Sequence, residues 1–528
     1  MTDRDTSWTR AALWTLFAGY AAEALFFVYW GRPLSDEGQL LAAAGLVYEG
    51  LLPYRDFPLS QGPAIPYVYG LFTELFGSSI LVGRYVSFAG CLATGAAAMA
   101  LSRRLGGAVA AAITLVLLML NLPAMWIGTT VTTQALSTPL VMAAALSLAT
   151  TRSTALGWAI APSLLLWSTC ARLTNGLALV GVTLWTVTAL AKSRRTLLRV
   201  VALLAVQCVI VAAPVLLAPR AAIFHILSLQ LTRAERGGFH YQTLLEHLRG
   251  SIGFFSVAET DYFAIVPLSL ALVLYLGWRI WRGWRPSLSL PIREPASGQL
   301  VMVTLAALVF APHFALSSGF VSYFATSSVL LCIAIASAAA GFIREIRGRR
   351  ARALGAAAAA ALLAVSVADA SREHQTYLNL RRGGFSHFRQ IGRDLNALLG
   401  PDCTMVTFQT HLAIESGCRL LPGLEYSFFS YSADLPAADA EKYAVLTPSR
   451  LDQRIGEIRP EAIAISRRLV SRLRGGPGPA DERALEFLAS ARAYRLHSKF
   501  PIASGLRLPL ISGQERMLLF VRKDLMIE

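Results

Sequence analysis

The chain alternates long apolar stretches with short polar breaks up to about residue 370. An apolar run of about 20 residues is long enough to cross a bilayer as a helix, and the chain contains about eleven such runs. They lie at residues 11–30, 79–101, 107–126, 133–150, 155–171, 173–191, 199–218, 262–281, 299–317, 320–343 and 353–369. This pattern predicts a polytopic α-helical membrane protein.

From about residue 370 the hydrophobic segments become shorter. Helical patterns lie at residues 385–399, 448–458 and 480–493. Strand-like runs lie at residues 404–408, 443–446, 462–465 and 517–521. Helices and strands of these lengths predict a small α/β domain. We therefore divide the chain into a transmembrane domain, residues 1–369, and a C-terminal α/β domain, residues 370–528.

Composition and charge agree with a membrane location. Hydrophobic residues make up 55% of the 528 residues and charged residues 15%, whereas about a quarter of the residues in soluble domains are charged. The mean hydropathy is +0.52. The net charge of +16 is dispersed among many loops, such as 192–199 and 344–352. This dispersal excludes a nucleic-acid site, which gathers its charge on one face, and favours contact with membrane lipid.

The basic loops also predict the topology. If the N-terminus is cytoplasmic, the loops rich in Arg and Lys fall on the cytoplasmic side, as the positive-inside rule requires. An odd number of spans then places the C-terminal domain on the outside. The loops at residues 31–78 and 219–261 are external in the same scheme.

Carboxylates cluster in the first external loop, which we call the first loop (residues 31–78). Asp36 and Glu37 follow the first span directly, and Asp56 lies in a Pro-Tyr-Arg-Asp-Phe turn. Carboxylates close to a bilayer are costly to bury, so their clustering requires an explanation. One explanation is structural, because an acid caps a helix N-terminus well and Asp56 could pair with Arg55 or Arg32. The other explanation is catalysis.

The first loop resembles a known family. Its Asp36-Glu37-Gly38, the run Gly-Leu-Leu-Pro-Tyr-Arg-Asp-Phe at 50–57, Gly62-Pro63 with Tyr67, and the segment 75–84 are similar to the first external loop of the GT-C superfamily. The pattern is most similar to protein O-mannosyltransferase-like enzymes and lipid A aminoarabinose transferases. The resemblance covers residues 10–100, and beyond them it rests on the arrangement of spans and C-terminal domain. The family usually has two prolines where this chain has Gly62-Pro63. The family's later membrane motif is only partly recognisable in this chain, at residues 322–325.

The resemblance implies a membrane glycosyltransferase. Such an enzyme transfers a sugar from a polyprenyl-phosphate donor to an acceptor hydroxyl on a glycan, lipid or protein, at the periplasmic face of a bacterial inner membrane. In the family an acid of the first external loop is the base, and by motif this is Asp36. Glu37 would orient Asp36 or the acceptor, and the sugar carbon would be inverted. A divalent cation is an option, with Asp36 and Asp56 as ligands.

The donor phosphate requires cations near the membrane boundary. Arg172 lies at a predicted external turn, and the loop 219–261 carries Arg233 and Arg236 on one helix face, followed by His240. Each arginine could equally snorkel or pair with a nearby glutamate.

Three tyrosines and two cysteines complete the candidates. Tyr54, Tyr67 and Tyr323 could stack on a sugar, although tyrosines are common at membrane interfaces. Cys403 and Cys418 both belong to the C-terminal domain, where an oxidising compartment would permit a disulfide. The sequence leaves their pairing open.

Two other function classes share these features. A transporter or flippase for a lipid-linked sugar would have similar spans and cations, but it would typically show internal repeats, and the sequence shows none. A non-catalytic protein that anchors the external domain would keep its activity when the acids are removed. The transferase hypothesis predicts the opposite.

Overall fold

The computed structural model describes residues 7–150, 154–228, 265–285, 292, 294–312, 321–345, 385–400, 402–432, 435–466, 489–502 and 515–525. Up to residue 345 the regular structure is helical. The helices are α1 (Ser7–Trp30), α2 (Ser35–Tyr48), α3 (Ala64–Phe76), α4 (Ile80–Leu120), α5 (Leu122–Thr129), α6 (Thr133–Thr150), α7 (Ala155–Ala171), α8 (Gly176–Leu190), α9 (Arg194–Leu217), α10 (Pro219–Ile223), α11 (Ile265–Trp281), α12 (Pro295–Phe310) and α13 (Ala325–Glu345).

The apolar helices confirm a helical membrane protein. Five described helices are long and apolar enough to cross a bilayer, and a sixth span results if α5 and α6, bent by 109°, count as one. Shorter apolar helices, including α7 and α12, add to these. The number of about eleven spans stays a prediction, because the span at 353–369 lies outside the described residues.

A glycine turn divides α4 into two antiparallel helices. Gly107 has a φ of 77°, a left-handed conformation that favours glycine. The Ser102 and Thr114 hydroxyls are hydrogen-bonded over 2.7 Å. In a straight helix residues twelve apart are about 18 Å apart, so the chain must reverse between them. The turn separates the predicted spans 79–101 and 107–126.

Burial differs sharply between the central and peripheral helices. In α13, 72% of the apolar window is buried, and it packs against α4 and α12. In α9 only 6% is buried, and Leu198, Val206 and Val209 are exposed. An apolar helix with an exposed apolar surface fits a lipid environment. The helix α9 is therefore peripheral, and α13 is central.

The C-terminal domain is built on a five-stranded sheet. Its helices are α14 (Phe385–Leu399), α15 (Thr410–Ser416), α16 (Ala437–Lys442) and α17 (Pro448–Ile458). Its strands are β1 (Thr404–Thr407), β2 (Arg419–Leu420), β3 (Ala462–Ser466), β4 (Tyr494–Ile502) and β5 (Glu515–Arg522), in the order β2-β1-β3-β5-β4. β1 runs parallel to β2 and β3, whereas β5 is antiparallel to β3 and β4. The α/β prediction is confirmed.

Two of the predicted C-terminal segments differ from the structure. No strand forms at 443–446, where Ala444 has a φ of 53° that is incompatible with extended backbone, and Leu446 makes only an isolated bridge to Tyr431. The predicted helix 480–493 is described only at its end, a 3-10 turn over Ala489–Ala493. Cys403 and Cys418 form a disulfide.

Candidate functional site

The first loop is held by a buried ion pair. The Arg84 guanidinium of α4 donates to both oxygens of Glu37 over 2.7 Å, and neither side chain is exposed. Arg84 also donates to the Val28 and Gly31 carbonyls at the end of α1, and Val131 N–H donates to Glu37. A buried charge pair requires such additional hydrogen bonds, because they offset its desolvation. Glu37 therefore fixes the start of α2 to α1, α4 and the α5–α6 turn.

Asp36 has the opposite environment. Successive residues on a helix point about 100° apart, so the side chain beside the buried Glu37 is directed outward, and Asp36 is exposed. Its Oδ1 accepts a hydrogen bond of 2.9 Å from Gln39 Nε2. The adjacent acids thus separate into one buried structural group and one accessible carboxylate.

Arg172 is a buried arginine whose positive charge the Asp36 charge helps to stabilise. It follows the last residue of α7, is 6% exposed, and donates from Nη1 to the Thr133 hydroxyl over 2.8 Å. Its guanidinium lies 5.3 Å from the Tyr323 ring centroid. Burial lowers the pKa of Arg172 to about 10, while Tyr323 and the Asp36 charge act in the opposite direction. Arg172 is therefore a buried cation that is still protonated at neutral pH.

Sequence reasoning does not indicate Thr133, and it offers Tyr323 only as a residue that could stack on a sugar. Thr133 begins α6 at the end of a threonine-rich run, and nothing marks it among its neighbours. Tyr323 lies in the 3-10 turn Val321–Phe324, inside the partly recognisable membrane motif. Asp36, Arg172, Thr133 and Tyr323 come from distant parts of the chain, and only the fold brings them together.

The helix bundle contains a small recess. Its open volume is about 20 Å³, room for about one water molecule, and residues of α1, α4, α5, α6 and α13 line it. Gln134 and Thr138 contribute polar groups, and the remaining lining is mainly apolar, including Leu118, Met125 and Val329. The lining that the structure describes does not include Asp36, Arg172 or Tyr323.

Asp56 and Tyr54 stabilise the loop itself. Asp56 accepts two hydrogen bonds of 2.8 Å from Arg55 and one from Leu52 N–H, so of the two pairings that the sequence left open, Arg55 is the partner. The Arg55 hydrogen bond holds the pKa of Asp56 below its usual range. Tyr54 is 1% exposed and donates to the Gln61 carbonyl over 2.6 Å. The described contacts therefore do not bring either residue to Asp36.

The surroundings of Gly62 explain why this chain lacks the first of the two prolines that the family usually has here. A Cβ at this position would overlap the Cys170 carbonyl oxygen at the end of α7. The first loop therefore contacts the end of α7 through bare backbone, two residues before Arg172. Tyr67, on α3, is 37% exposed, and its carbonyl accepts from Tyr48 over 3.4 Å.

The second predicted external loop is described only at its beginning. The helix α10 and a π-helical turn, Phe224–Ser228, are followed by residues 229–264, which include Arg233, Arg236 and His240 and lie outside the described residues. Phe224 stacks on Tyr443 of the C-terminal domain, with 3.9 Å between ring centroids. In the described parts of the chain, no three His, Cys, Asp or Glu side chains form a cluster that could hold a metal ion.

Solved structures share the whole arrangement, although no family model and no curated protein matches the chain. ArnT from Cupriavidus metallidurans bound to undecaprenyl phosphate is 14% identical over 97% of this chain and 99% of that chain, with a TM-score of 0.54. The apo form of the same ArnT is 15% identical over 97% of this chain and 98% of that chain, with a TM-score of 0.52. The Archaeoglobus fulgidus oligosaccharyltransferase tethered with an acceptor peptide is 11% identical over 97% of this chain and 76% of that chain, with a TM-score of 0.50.

Identities this low show a shared fold rather than a shared activity. The likeness nevertheless extends over the helices and the C-terminal sheet domain together. This chain is therefore a membrane protein that shares the fold of ArnT and of the archaeal oligosaccharyltransferase, the fold that the resemblance of its first loop predicts.

Proposed function

We propose that this protein is a membrane glycosyltransferase that moves a sugar from a polyprenyl phosphate to an acceptor hydroxyl. The observation that carries the proposal is an exposed carboxylate, Asp36, whose charge stabilises the buried cation Arg172. A base next to a phosphate-binding cation is the pair of groups that this reaction requires. The ArnT structure of the same fold was determined with undecaprenyl phosphate bound, which supports a lipid-linked donor.

The reaction assigns one step to each group. Asp36 takes the proton of the acceptor hydroxyl while the hydroxyl oxygen attacks the anomeric carbon of the donor sugar. The bond between that carbon and the phosphate oxygen breaks, and its electron pair leaves with the lipid phosphate, whose charge Arg172 compensates. A single displacement inverts the anomeric centre. Glu37 does not react; through Arg84 it holds the turn that presents Asp36.

We infer that the face with Asp36 and the C-terminal domain, residues 370–528, lie on the periplasmic side of the inner membrane, because the distribution of basic loops predicts this orientation. Arg233, Arg236 and His240 stay candidates for further phosphate contacts, and a divalent cation stays an option.

The experiment compares two arginine variants of the purified protein in lipid nanodiscs. Removing a charge-assisted contact costs about 1.5–3 kcal/mol, so Arg172→Gln should raise the donor KM or Kd about ten- to a hundredfold. Arg220→Gln, an exposed arginine of α10, is the matched control and should change neither. The readouts are binding of undecaprenyl phosphate and sugar transfer to added acceptors.

The outcomes separate the function classes. Wild-type transfer that is weakened by Arg172→Gln supports the proposal. Donor binding without transfer, combined with movement of the lipid between leaflets, would indicate a flippase instead. Equal donor affinity in Arg172→Gln and the control would remove Arg172 from the site.

A further inference from the structure

The helix α15 of the C-terminal domain lies directly against α2. A Cβ added to Gly38 would overlap the His411 backbone nitrogen and would lie 2.5 Å from the Thr410 carbonyl carbon. The two helices thus meet backbone to backbone two residues after Asp36. Only glycine, which has no Cβ, fits at position 38 unless α15 moves away.

The other end of α15 is attached to α4. Glu415 accepts the Ile80 N–H over 2.9 Å, at the first residue of α4. A carboxylate in this position satisfies a free backbone donor and interacts favourably with the helix dipole. Arg389 of α14 lies 3.4 Å from the second Glu415 oxygen. The short helix therefore contacts both elements that join at the Glu37–Arg84 pair.

A disulfide closes the segment that contains α15. Cys403 immediately precedes β1, and Cys418 follows the end of α15, with 15 residues of sequence separation. Arg419 N–H donates to the Cys403 carbonyl over 2.6 Å, and Cys418 N–H donates to the Ala413 carbonyl over 3.0 Å. The strand β1 and the complete helix α15 therefore both lie within the loop of chain that the disulfide closes.

From this geometry we infer that α15 is a positioning element for Asp36. The Glu37–Arg84 pair holds the first turn of α2 from the membrane domain, and α15 holds it from the C-terminal domain through the contact at Gly38. The Cys403–Cys418 disulfide keeps α15 in that place. The inference rests on the proposed function, because it assigns a role to the geometry of Asp36.

The steric test uses two glycines of the same helix. Gly38→Ala and Gly45→Ala raise helix propensity alike, but a Cβ at Gly45 meets nothing within 4 Å among the described residues. Small displacements of a catalytic group cost up to about a hundredfold in rate. We expect Gly38→Ala to lower kcat at least tenfold with little change in donor KM, and Gly45→Ala to retain wild-type kcat. Equal kcat in the two variants would overturn the inference.

The second test uses the intact wild-type protein and does not depend on turnover. Hydrogen exchange is measured in the oxidised protein and after reduction of Cys403–Cys418 with a thiol reagent. Reduction should accelerate exchange in residues 35–48 of α2 and leave residues 64–76 of α3 unchanged. Unchanged exchange in α2 would overturn the inference even if Gly38→Ala failed to fold. If the wild-type protein transfers no sugar, the proposed function fails, and the exchange result still tests the contact.

Discussion

At the scale of single residues, Asp36 and Glu37 show how one turn of helix separates two adjacent acids. Glu37 is fully buried and accepts hydrogen bonds from Arg84, Leu34 and Val131, whereas Asp36 is exposed. The helix-capping interpretation holds for Glu37, which accepts the backbone N–H at the start of α2. Asp56 is 23% exposed and is paired with Arg55. We therefore propose Asp36, the most exposed of the three acids, as the base.

The buried pair makes a prediction about stability. Glu37→Gln leaves Arg84 buried without a counter-charge, and breaking such a pair costs about 3–5 kcal/mol. The variant should unfold at a much lower temperature than the wild-type protein in a thermal scan in detergent. Glu49→Gln, at the exposed C-terminal end of the same helix, is the control and should stay within about 0.5 kcal/mol.

A double variant checks the cause. Replacing both members, Glu37→Leu with Arg84→Met, removes the uncompensated charge, so it should recover part of the stability lost in Glu37→Gln. A Glu37→Gln protein as stable as the Glu49→Gln control would contradict the assignment of Glu37 to the scaffold.

At the scale of elements, the packing of α15 on the first loop could not be predicted from the sequence. His411 and Glu415 are four residues apart in a seven-residue helix, and no local pattern shows that they pack on the first loop. By contrast, the helices at 385–399 and 448–458 have the predicted bounds because each has a regular apolar face. The strand β4 was missed because it is an edge strand that carries charged residues and Pro501.

The buried His411 predicts how stability depends on pH. Burial and the nearby Arg84 charge lower the pKa of His411 to about 3. In the unfolded chain a histidine titrates near 6.5, so the unfolded state binds the proton first as the pH falls. The contribution of His411 is present above about pH 6.5 and decreases below it, by about 2 kcal/mol between pH 7.5 and 5.

The measurement compares melting temperatures at pH 7.5 and 5. Neither imidazole nitrogen of His411 has a hydrogen-bond partner among the described residues, so His411→Leu leaves no polar group orphaned. This variant should lose less stability on acidification than the wild-type protein, whereas His497→Leu, at an exposed strand position, should behave like the wild type. Glu415, whose pKa burial raises, acts in the opposite direction and is common to all three proteins. An equal loss in His411→Leu would contradict the prediction.

At the scale of the whole molecule, the apolar periodicity was sufficient for the architecture but not for the site. The bounds of α6 and α7 match the predicted spans because each is an uninterrupted apolar helix. The site depends on contacts between distant segments, such as Arg172 with Thr133 and Tyr323, which no local pattern encodes. The bend between α5 and α6 puts Thr133 at a helix start, and within it the Val131 N–H donates to the distant Glu37.

The central claim is that Asp36 is the base of a sugar transfer. Asp36→Asn keeps the shape of the side chain and removes its basicity, so kcat should fall by at least about a hundredfold. Donor binding and melting temperature should stay at wild-type values, and Glu49→Gln, at the exposed C-terminal end of the same helix, should retain wild-type activity. The direct measurement is single-turnover transfer of a sugar from a polyprenyl phosphate by the reconstituted Asp36→Asn protein. The account predicts no detectable product, and a rate close to that of the wild-type protein would contradict it.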